Sequence, residues 1–317
     1  MKIRAYITHK LEENNSDCQD YFHINSERRK IAISDGVSQS IFSAKWAQML
    51  VKAYTDSDSE DISTQLPSLQ KQWLDFAQSE LEKLEKEGGS TWMLENCLTE
   101  KQGAAATFCG IKIADDGSWN GYALGDSCLF EVTEDDSILN FYPSVTKDFG
   151  NSPDYFDSFT EGKGELCEIS GKLSVGRKLL LVTDPFGELL YNKKKENLES
   201  SYVSQLLSLN SYEDFLALVD ELRAKENMHN DDSTLVIVEN DGQLSFEVEE
   251  MSLEQLLEND RTQALPMNKK ANKVEFVNYK GKLKGNKLPK RCQKCPYKNG
   301  VLNWVRNLIK ELIKILI

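Results

Sequence analysis

The sequence has no run of about 18 uncharged apolar residues, which is the length that a membrane-spanning helix needs. It also lacks the apolar core of a signal peptide, because the segment after Met1 passes directly into strand-like alternation. The seven cysteines are odd in number and irregularly spaced, which argues against the disulfide framework of a small secreted domain. We therefore expect a cytoplasmic protein, with peripheral attachment to a membrane as an open variant.

Basic residues are scarce until late in the chain. The net charge is −13, yet residues 261–317 hold 15 Lys and Arg against two acids, so that the preceding residues carry about −26. A body this acidic does not favour nucleic acid, and no nucleic-acid partner is expected. The contrast predicts a globular domain over residues 1–250 and a basic tail over residues 251–317.

The tail contains two recognisable features. Cys292 and Cys295 form a single CxxC, and the second half that a structural zinc site usually needs is missing from the sequence. Residues 301–317 alternate apolar and basic positions with a helical period. Such a basic amphipathic helix could lie on an anionic membrane, bind a partner protein or pack on its own body, and these alternatives stay open.

Hydrophobic periodicity predicts strands and helices in alternating blocks rather than regular β-α-β units. The predicted helices are Ile41–Thr55, Ser68–Glu87, Asn197–Leu209 and Tyr212–Lys225. The predicted strands are Ile3–Thr8, Tyr21–Ile24, Lys30–Ser34, Ala104–Ala114, Ser118–Gly125, Cys128–Val132, Ile138–Tyr142, Leu166–Ile169, Leu179–Thr183 and a last hairpin of Leu235–Val238 with Leu244–Val248. Residues 145–164 read as a long surface loop. The pattern favours an α+β fold of antiparallel sheets with helices on their outer faces.

Several acids stand at the ends of predicted strands. Asp35 follows a short buried strand, Asp20 precedes one, Asp184 follows another, and the pair Asp231 and Asp232 precedes the last apolar run. Asp35-Gly36 alone could be a plain turn. Together, however, these carboxylates suit hard cations such as Mg²⁺ and Mn²⁺, and Gly36 is expected to turn the backbone sharply so that its carbonyl also faces the site.

In this order the acids resemble the motifs of the type 2C metal-dependent protein phosphatases, the PPM family, and in particular a bacterial subgroup. The matching segments are Cys18-Gln19-Asp20, Ser34-Asp35-Gly36, Gly103-Ala104-Ala105-Ala106-Thr107, Gly125-Asp126-Ser127, Thr183-Asp184 and Asp231-Asp232-Ser233-Thr234. The resemblance covers roughly residues 3–250. It implies two packed antiparallel sheets flanked by helix pairs, which is an α-β-β-α sandwich.

The resemblance also implies a serine/threonine phosphatase with two Mn²⁺ or Mg²⁺ ions, and in many bacterial members a third. Asp35 would bridge two ions with the Gly36 carbonyl on one, and Asp184 and Asp231 would hold the second. Asp20 would act through metal-bound water, and the third ion would lie at Asp126 and Glu188. The implied substrate is a phosphorylated protein, for which a cognate kinase is one hypothesis.

The sequence departs from the family pattern in ways that leave an alternative open. Ser38-Gln39 replaces a Gly-Gly, Pro185 follows Asp184, and no Arg precedes Asp20 after Ile7. His9 is therefore the candidate for the phosphate-facing or general-acid role, its alternative being a surface histidine at a strand end. These departures keep open a non-catalytic scaffold that binds phosphoproteins.

Two further histidines lie in or near predicted elements. His23 is interpreted as structural because it falls inside a strand. His229 is interpreted as a loop histidine, with an outer contact to the site as the alternative.

Deletion of residues 261–317 is expected to change the location or the partner of the protein and to leave its turnover of small substrates intact.

Overall fold

A computed structural model of the chain describes residues 1–143, 149 and 153–264. The strands are β1 Lys2–Thr8, β2 Tyr21–Asn25, β3 Lys30–Ser34, β4 Ala105–Ala106, β5 Phe108–Ile113, β6 Ser118–Leu124, β7 Cys128–Val132, β8 Ile138–Tyr142, β9 Phe156–Asp157, β10 Cys167–Lys172, β11 Lys178–Val182, β12 Ser233–Glu239 and β13 Glu247–Met251. The helices are α1 Ser43–Asp56, α2 Leu66–Lys86, α3 Trp92–Thr99, α4 Asp184–Glu196, α5 Glu199–Leu207, α6 Tyr212–Lys225 and α7 Leu253–Ala264.

Two sheets form the centre of the fold. One has six strands in the order β13-β1-β12-β11-β7-β8, and the other has five in the order β10-β6-β5-β3-β2. The described strand pairs are antiparallel apart from β1 and β13, which run parallel. Helix α1 packs on β2 and β3, whereas α4 and α6 pack on the six-stranded sheet. The predicted α+β sandwich with flanking helices is therefore confirmed.

Strand β1 shows how alternation builds these layers. Ile7 belongs to the core that includes Ile31 and Ile33 of the other sheet. The next residue back, Tyr6, points to the opposite face and stacks on Phe215 of α6 with ring centroids 5.2 Å apart. Because successive side chains of a strand point to opposite faces, one strand contributes to the core between the sheets and to the core under the helices.

The structure corrects several predicted elements. The last hairpin is wrong, because β13 pairs with β1, with Lys2 opposite Glu247, and not with β12. Helices α3, α4 and α7 were not predicted. The predicted strand over residues 104–114 is divided at Thr107, whose backbone N–H bonds to the carbonyl of Asp35 rather than continuing the ladder.

Sheet register brings distant loops to one end of the sandwich. Ser34, the last residue of β3, pairs with Tyr21, the first of β2. In the six-stranded sheet, Val182 ends β11 opposite Leu235 near the start of β12 and opposite Cys128 at the start of β7. The turn between β6 and β7 passes from one sheet to the other, so both groups of strand ends lie at the same end of the fold.

Some predicted features lie outside the described residues. They are Cys292, Cys295, the amphipathic segment 301–317, and residues 144–148 and 150–152 of the predicted loop. The five cysteines that the structure does describe carry free thiols. Within the described part of the chain, every helix is too short or too polar to span a membrane.

Candidate active site

A cavity of about 370 Å³ opens at the end of the sandwich where these loops meet. Five carboxylates and one imidazole contribute to its lining: Asp35, Asp126, Asp184, Glu188, Asp231 and His229. The five acids come from four separate parts of the sequence. The structure thus brings together most of the acids that the sequence singled out.

The backbone of Asp35 is held by hydrogen bonds to Thr107. Its N–H donates to the hydroxyl of Thr107 at 3.1 Å, and its carbonyl accepts from the N–H of Thr107 at 2.8 Å. The hydroxyl of Thr107 also lies 2.6 Å from that of Ser127, the neighbour of Asp126. This network ties the loop after β3 to the turn between β6 and β7, and it leaves the Asp35 carboxylate facing the cavity.

Gly36 is required for close approach and not for an unusual turn. Its φ lies outside the left-handed region, so glycine is not needed here for a positive φ. A Cβ at Gly36 would lie 2.8 Å from the carbonyl carbon of Ser43 and 2.9 Å from the carbonyl oxygen of Gln19. Gly36 therefore lets the loop carrying Asp35 pack between the start of α1 and the segment before β2.

Asp126 lies in the turn that joins the two sheets. Gly125 before it has φ +87°, a left-handed conformation that glycine adopts without strain. The carboxylate of Asp126 is buried, and its Oδ1 has no hydrogen-bond partner among the described residues.

Asp184 and Glu188 belong to the first turns of α4. Residues four apart lie on the same face of a helix, so both side chains face the cavity. Pro185 occupies the first turn of this helix, where a missing N–H costs nothing. The departure from the family pattern at Pro185 is thus compatible with the local structure.

The adjacent acids Asp231 and Asp232 have different positions. Asp231 lines the cavity. Asp232 is buried behind it and accepts the backbone N–H groups of Lys10 at 2.9 Å and Gln19 at 2.7 Å. Asp232 therefore fixes the chain between β1 and β2, and Asp231 is the acid of this pair that faces the cavity.

Asp20 is fully enclosed next to the cavity and is not among its described lining residues. Its Oδ2 accepts the hydroxyls of Thr183 at 2.8 Å and Thr234 at 2.7 Å, which join it to β11 and β12. Its Oδ1 is buried without a hydrogen-bond partner among the described residues. One oxygen is thus anchored and the other is available to accept a hydrogen bond.

Burial and the charges of neighbouring acids raise the pKa values of Asp20, Asp35, Asp126 and Asp184. The pKa of Asp35 rises to about 8, mainly by burial and then by the charges of Asp126 and Asp231. The pKa of Asp126 rises to about 6, again mainly by burial. Burial followed by the neighbouring Asp35 charge also raises the pKa values of Asp20 and Asp184. Carboxylates kept this close need protons or cations to stabilise them.

The donor set fits hard divalent cations. It consists of carboxylate oxygens, which are ligands that Mg²⁺ and Mn²⁺ prefer. The unpartnered Oδ1 atoms of Asp20 and Asp126 are the strongest indication, because buried polar atoms normally have partners. A cation in the cavity would reduce the repulsion between the carboxylates and would give the Oδ1 of Asp126 a partner.

His9 follows β1, and its ring bonds locally. Its Nδ1 lies 2.8 Å from the carbonyl oxygen of Lys10, and His9 is not among the described residues that line the cavity. His229 does line it, although its sequence context suggested an ordinary loop histidine. The only available signal for His229 was its position two residues before Asp231.

Sequence reasoning also missed Arg223 of α6. Its guanidinium donates to the carbonyl of Asp231 at 2.6 Å and to the hydroxyl of Ser233 at 3.2 Å. It also donates to the carbonyl of His9 at 3.4 Å. Arg223 therefore positions Asp231 from behind, a role that only the folded arrangement reveals.

The family model described as Protein phosphatase 2C matches residues 9–229 of the chain. Among solved structures, the chain is similar to the photosystem II phosphatase PBCP, with 12% identity, a TM-score of 0.50 and coverage of 74% of this chain and 96% of that one. It is also similar to the serine/threonine phosphatase of S. agalactiae, with 14% identity, a TM-score of 0.45 and coverage of 75% and 99%. Among curated proteins, no sequence matches this chain.

Proposed function

Because this chain belongs to the Protein phosphatase 2C family, we propose that it hydrolyses phosphoserine and phosphothreonine on proteins with the help of bound Mn²⁺ or Mg²⁺. The predicted family and enzyme class, a protein phosphatase, are thereby confirmed. The metal pair, its identity and the residue roles are the proposal. Metal dependence itself is a property of the family.

The observation that carries this proposal is the meeting of Asp35, Asp126, Asp184 and Asp231 at one cavity. Burial raises the pKa values of Asp35, Asp126 and Asp184, and it therefore costs folding free energy. A module that only bound phosphoproteins would be disfavoured by such negative charge, because phosphate is an anion. The arrangement favours the catalytic alternative over the scaffold.

We propose that Asp35, Asp184, Asp231 and the Gly36 carbonyl hold two ions, and that Asp126 and Glu188 hold a third. When bound, such ions lower the pKa of water and neutralise the charge of a phosphate. Asp20 would accept a hydrogen bond from water through its unpartnered Oδ1, while Thr183 and Thr234 fix its orientation. Phe149 and Pro153 supply apolar walls of the cavity.

The general acid has no assigned residue in this proposal. His9 was the candidate from the sequence, but its ring faces the carbonyl of Lys10. Lys10 itself lies nearer the acids, with its Nζ 3.6 Å from Oδ1 of Asp231. It partly offsets the negative charge at that edge of the cavity.

The activity is tested by phosphate release from p-nitrophenyl phosphate and from phosphoserine, phosphothreonine and phosphotyrosine peptides, with Mn²⁺, with Mg²⁺ and with chelator. We expect release from the first two peptides only when a metal is present. Asp35→Asn should lower turnover at least about a hundredfold, because metal-based stabilisation contributes several kcal/mol. Asp75→Asn, at an exposed position of α2, is the matched control and should leave turnover unchanged.

Two outcomes would contradict the proposal. One is the absence of phosphate release with any divalent ion, and the other is full activity in Asp35→Asn. A preference for the phosphotyrosine peptide would agree with phosphatase activity but would contradict the proposed preference for phosphoserine and phosphothreonine.

The physiological partner and location remain proposals from the sequence. A phosphorylated protein, with a cognate kinase as one candidate, follows from the resemblance. Recruitment to a membrane surface or to a partner protein through residues 301–317 is proposed from their charge and periodicity.

A further inference from the structure

His229 lies beside two acids at one side of the cavity. Asp184, His229 and Asp231 each present one ligand atom, and these three atoms lie within 4.8 Å of one another. The Nδ1 of His229 is 4.0 Å from Oδ2 of Asp184, which is too far for a direct hydrogen bond. Metal bonds to imidazole nitrogen and carboxylate oxygen are each about 2.0–2.2 Å long, so one ion can bridge a gap of this size.

The loop that carries His229 is fixed on both sides. Met228 is buried, and its N–H donates to the carbonyl of Leu222 at 3.2 Å. The side chain of Asn230 accepts the N–H of Leu11 at 2.9 Å, and Arg223 holds the carbonyl of Asp231. His229 is thus presented to the cavity by an anchored loop, although its own side chain is 55% exposed.

A separate observation indicates that a ligand belongs in this cavity. Asp126 lines the same cavity, is more than nine-tenths buried, and has an Oδ1 with no hydrogen-bond partner among the described residues. Buried acceptors of this kind normally have a partner. The unpartnered oxygen of Asp126 therefore indicates that this cavity binds a cation, which its number of acids alone would not show.

We propose that His229 is a direct ligand of the ion held by Asp184 and Asp231. This inference rests on the proposed function, because it concerns one of the ions that the phosphatase would use. It adds an imidazole nitrogen to a site otherwise made of oxygen ligands. Imidazole suits ions such as Zn²⁺, Fe²⁺ and Ni²⁺, so this position should accept them more readily than an all-oxygen site does.

Pulsed EPR of bound Mn²⁺ tests this ligation directly, since a coordinated imidazole gives a ¹⁴N coupling to the metal electrons. The full chain is loaded stepwise with Mn²⁺ up to three ions per chain. We expect the ¹⁴N coupling in the wild type, its loss in His229→Ala, and its retention in His9→Ala and His23→Ala. The two controls replace the other histidines of the chain, and His23 is held in β2 by Thr55 at 2.6 Å.

Calorimetric titration gives a second readout. Losing a group that only hydrogen-bonds to a metal ligand typically weakens metal binding by roughly 10- to 100-fold. His229→Ala removes a direct ligand, so we expect it to weaken Zn²⁺ binding by at least that factor and Mg²⁺ binding by less. Circular dichroism verifies that each variant is folded.

The outcomes separate this inference from the proposed function. Bound Mn²⁺ without ¹⁴N coupling, or with a coupling that survives in His229→Ala, overturns the ligation and leaves the phosphatase proposal standing. The absence of any bound Mn²⁺ overturns both.

Discussion

At the scale of single residues, Gly36 shows how tightly the site is constrained. A side chain there would contact Ser43 and Gln19 at 2.8–2.9 Å, and two of the atoms concerned belong to the backbone. We expect Gly36→Ala to lower the free energy of unfolding by about 1–3 kcal/mol, as overpacking does. It should also weaken Mn²⁺ binding, because Asp35 must move with its neighbour.

The matched control is Gly89→Ala, where the nearest atoms would lie at 3.4 Å and φ is not left-handed. Chemical denaturation and calorimetric titration measure both effects. Equal stability of the two variants would contradict the packing argument.

The raised pKa values of Asp35 and Asp126 predict how pH and metal act together. Both values, about 8 and about 6, lie above the ordinary 3.8, so the metal-free folded state holds protons that the unfolded chain releases. Stability of the metal-free protein should therefore fall as pH rises through about 4 to 8.

Bound Mn²⁺ replaces those protons, so its stabilising effect should grow from about pH 5.5 to about pH 8. One ion at a free concentration of 100 times Kd contributes about 2.7 kcal/mol. Thermal unfolding with Mn²⁺ and with chelator across this range measures the difference. A stabilisation that does not depend on pH would contradict the account.

Individual site residues were predictable to different degrees. Asp35 and Asp184 stand next to apolar strands, and this pattern is visible in the sequence. The resemblance singled out Asp231, but the role of Asp232 could not be predicted, because it accepts the N–H groups of Lys10 and Gln19, over 200 residues away in the sequence.

At the scale of elements, α6 supports the site through Arg223. Its guanidinium binds the carbonyl of Asp231 and the hydroxyl of Ser233 at the start of β12. Arg223→Met should cost about 1–3 kcal/mol of stability, because partly buried acceptors lose their donor. It should also reduce metal affinity by releasing Asp231.

Lys225→Met on the same helix is the control, since Lys225 is exposed and pairs only with its helix neighbour Glu221 in the described residues. It should change neither quantity. Arg223→Met with unchanged metal affinity would show that Asp231 is positioned without α6.

Elements with clear periodicity were predicted, and those defined by tertiary contact were not. Helix α4 begins with Asp184-Pro185, which reads as a turn when the acid is assumed to end a strand. Strand β13 pairs in parallel with β1 at the other end of the sequence, and no local pattern reveals such a partner. Hairpin turns favour the neighbouring strand, which is why the last hairpin was wrongly expected.

At the scale of the whole molecule, the compact unit that begins at Met1 includes helix α7, which follows the predicted boundary at residue 250. Helix α7 buries Leu253 and Leu256, and its Glu254 pairs with Lys52 of α1 at 3.0 Å. The division into a catalytic domain over residues 1–250 and a basic tail over residues 251–317 stays a prediction.

Two truncations test whether helix α7 is part of the folded body and the residues after it are not. Removal of residues 266–317 should leave the unfolding temperature and turnover of p-nitrophenyl phosphate unchanged. Removal of residues 252–317 should lower stability, since each buried leucine contributes about 1.5–3 kcal/mol. Loss of folding in the shorter deletion would show that the basic tail is part of the core.

The central claim is that Asp35, Asp184 and Asp231 hold divalent ions in one cavity. Anomalous diffraction from a crystal soaked in Mn²⁺ tests it most directly. We predict two manganese peaks at Asp35, Asp184 and Asp231, with the Asp35 carboxylate contacting both ions, and a third peak at Asp126 and Glu188 in the same cavity. A well-diffracting crystal with manganese elsewhere, or with none at these acids, would contradict the account.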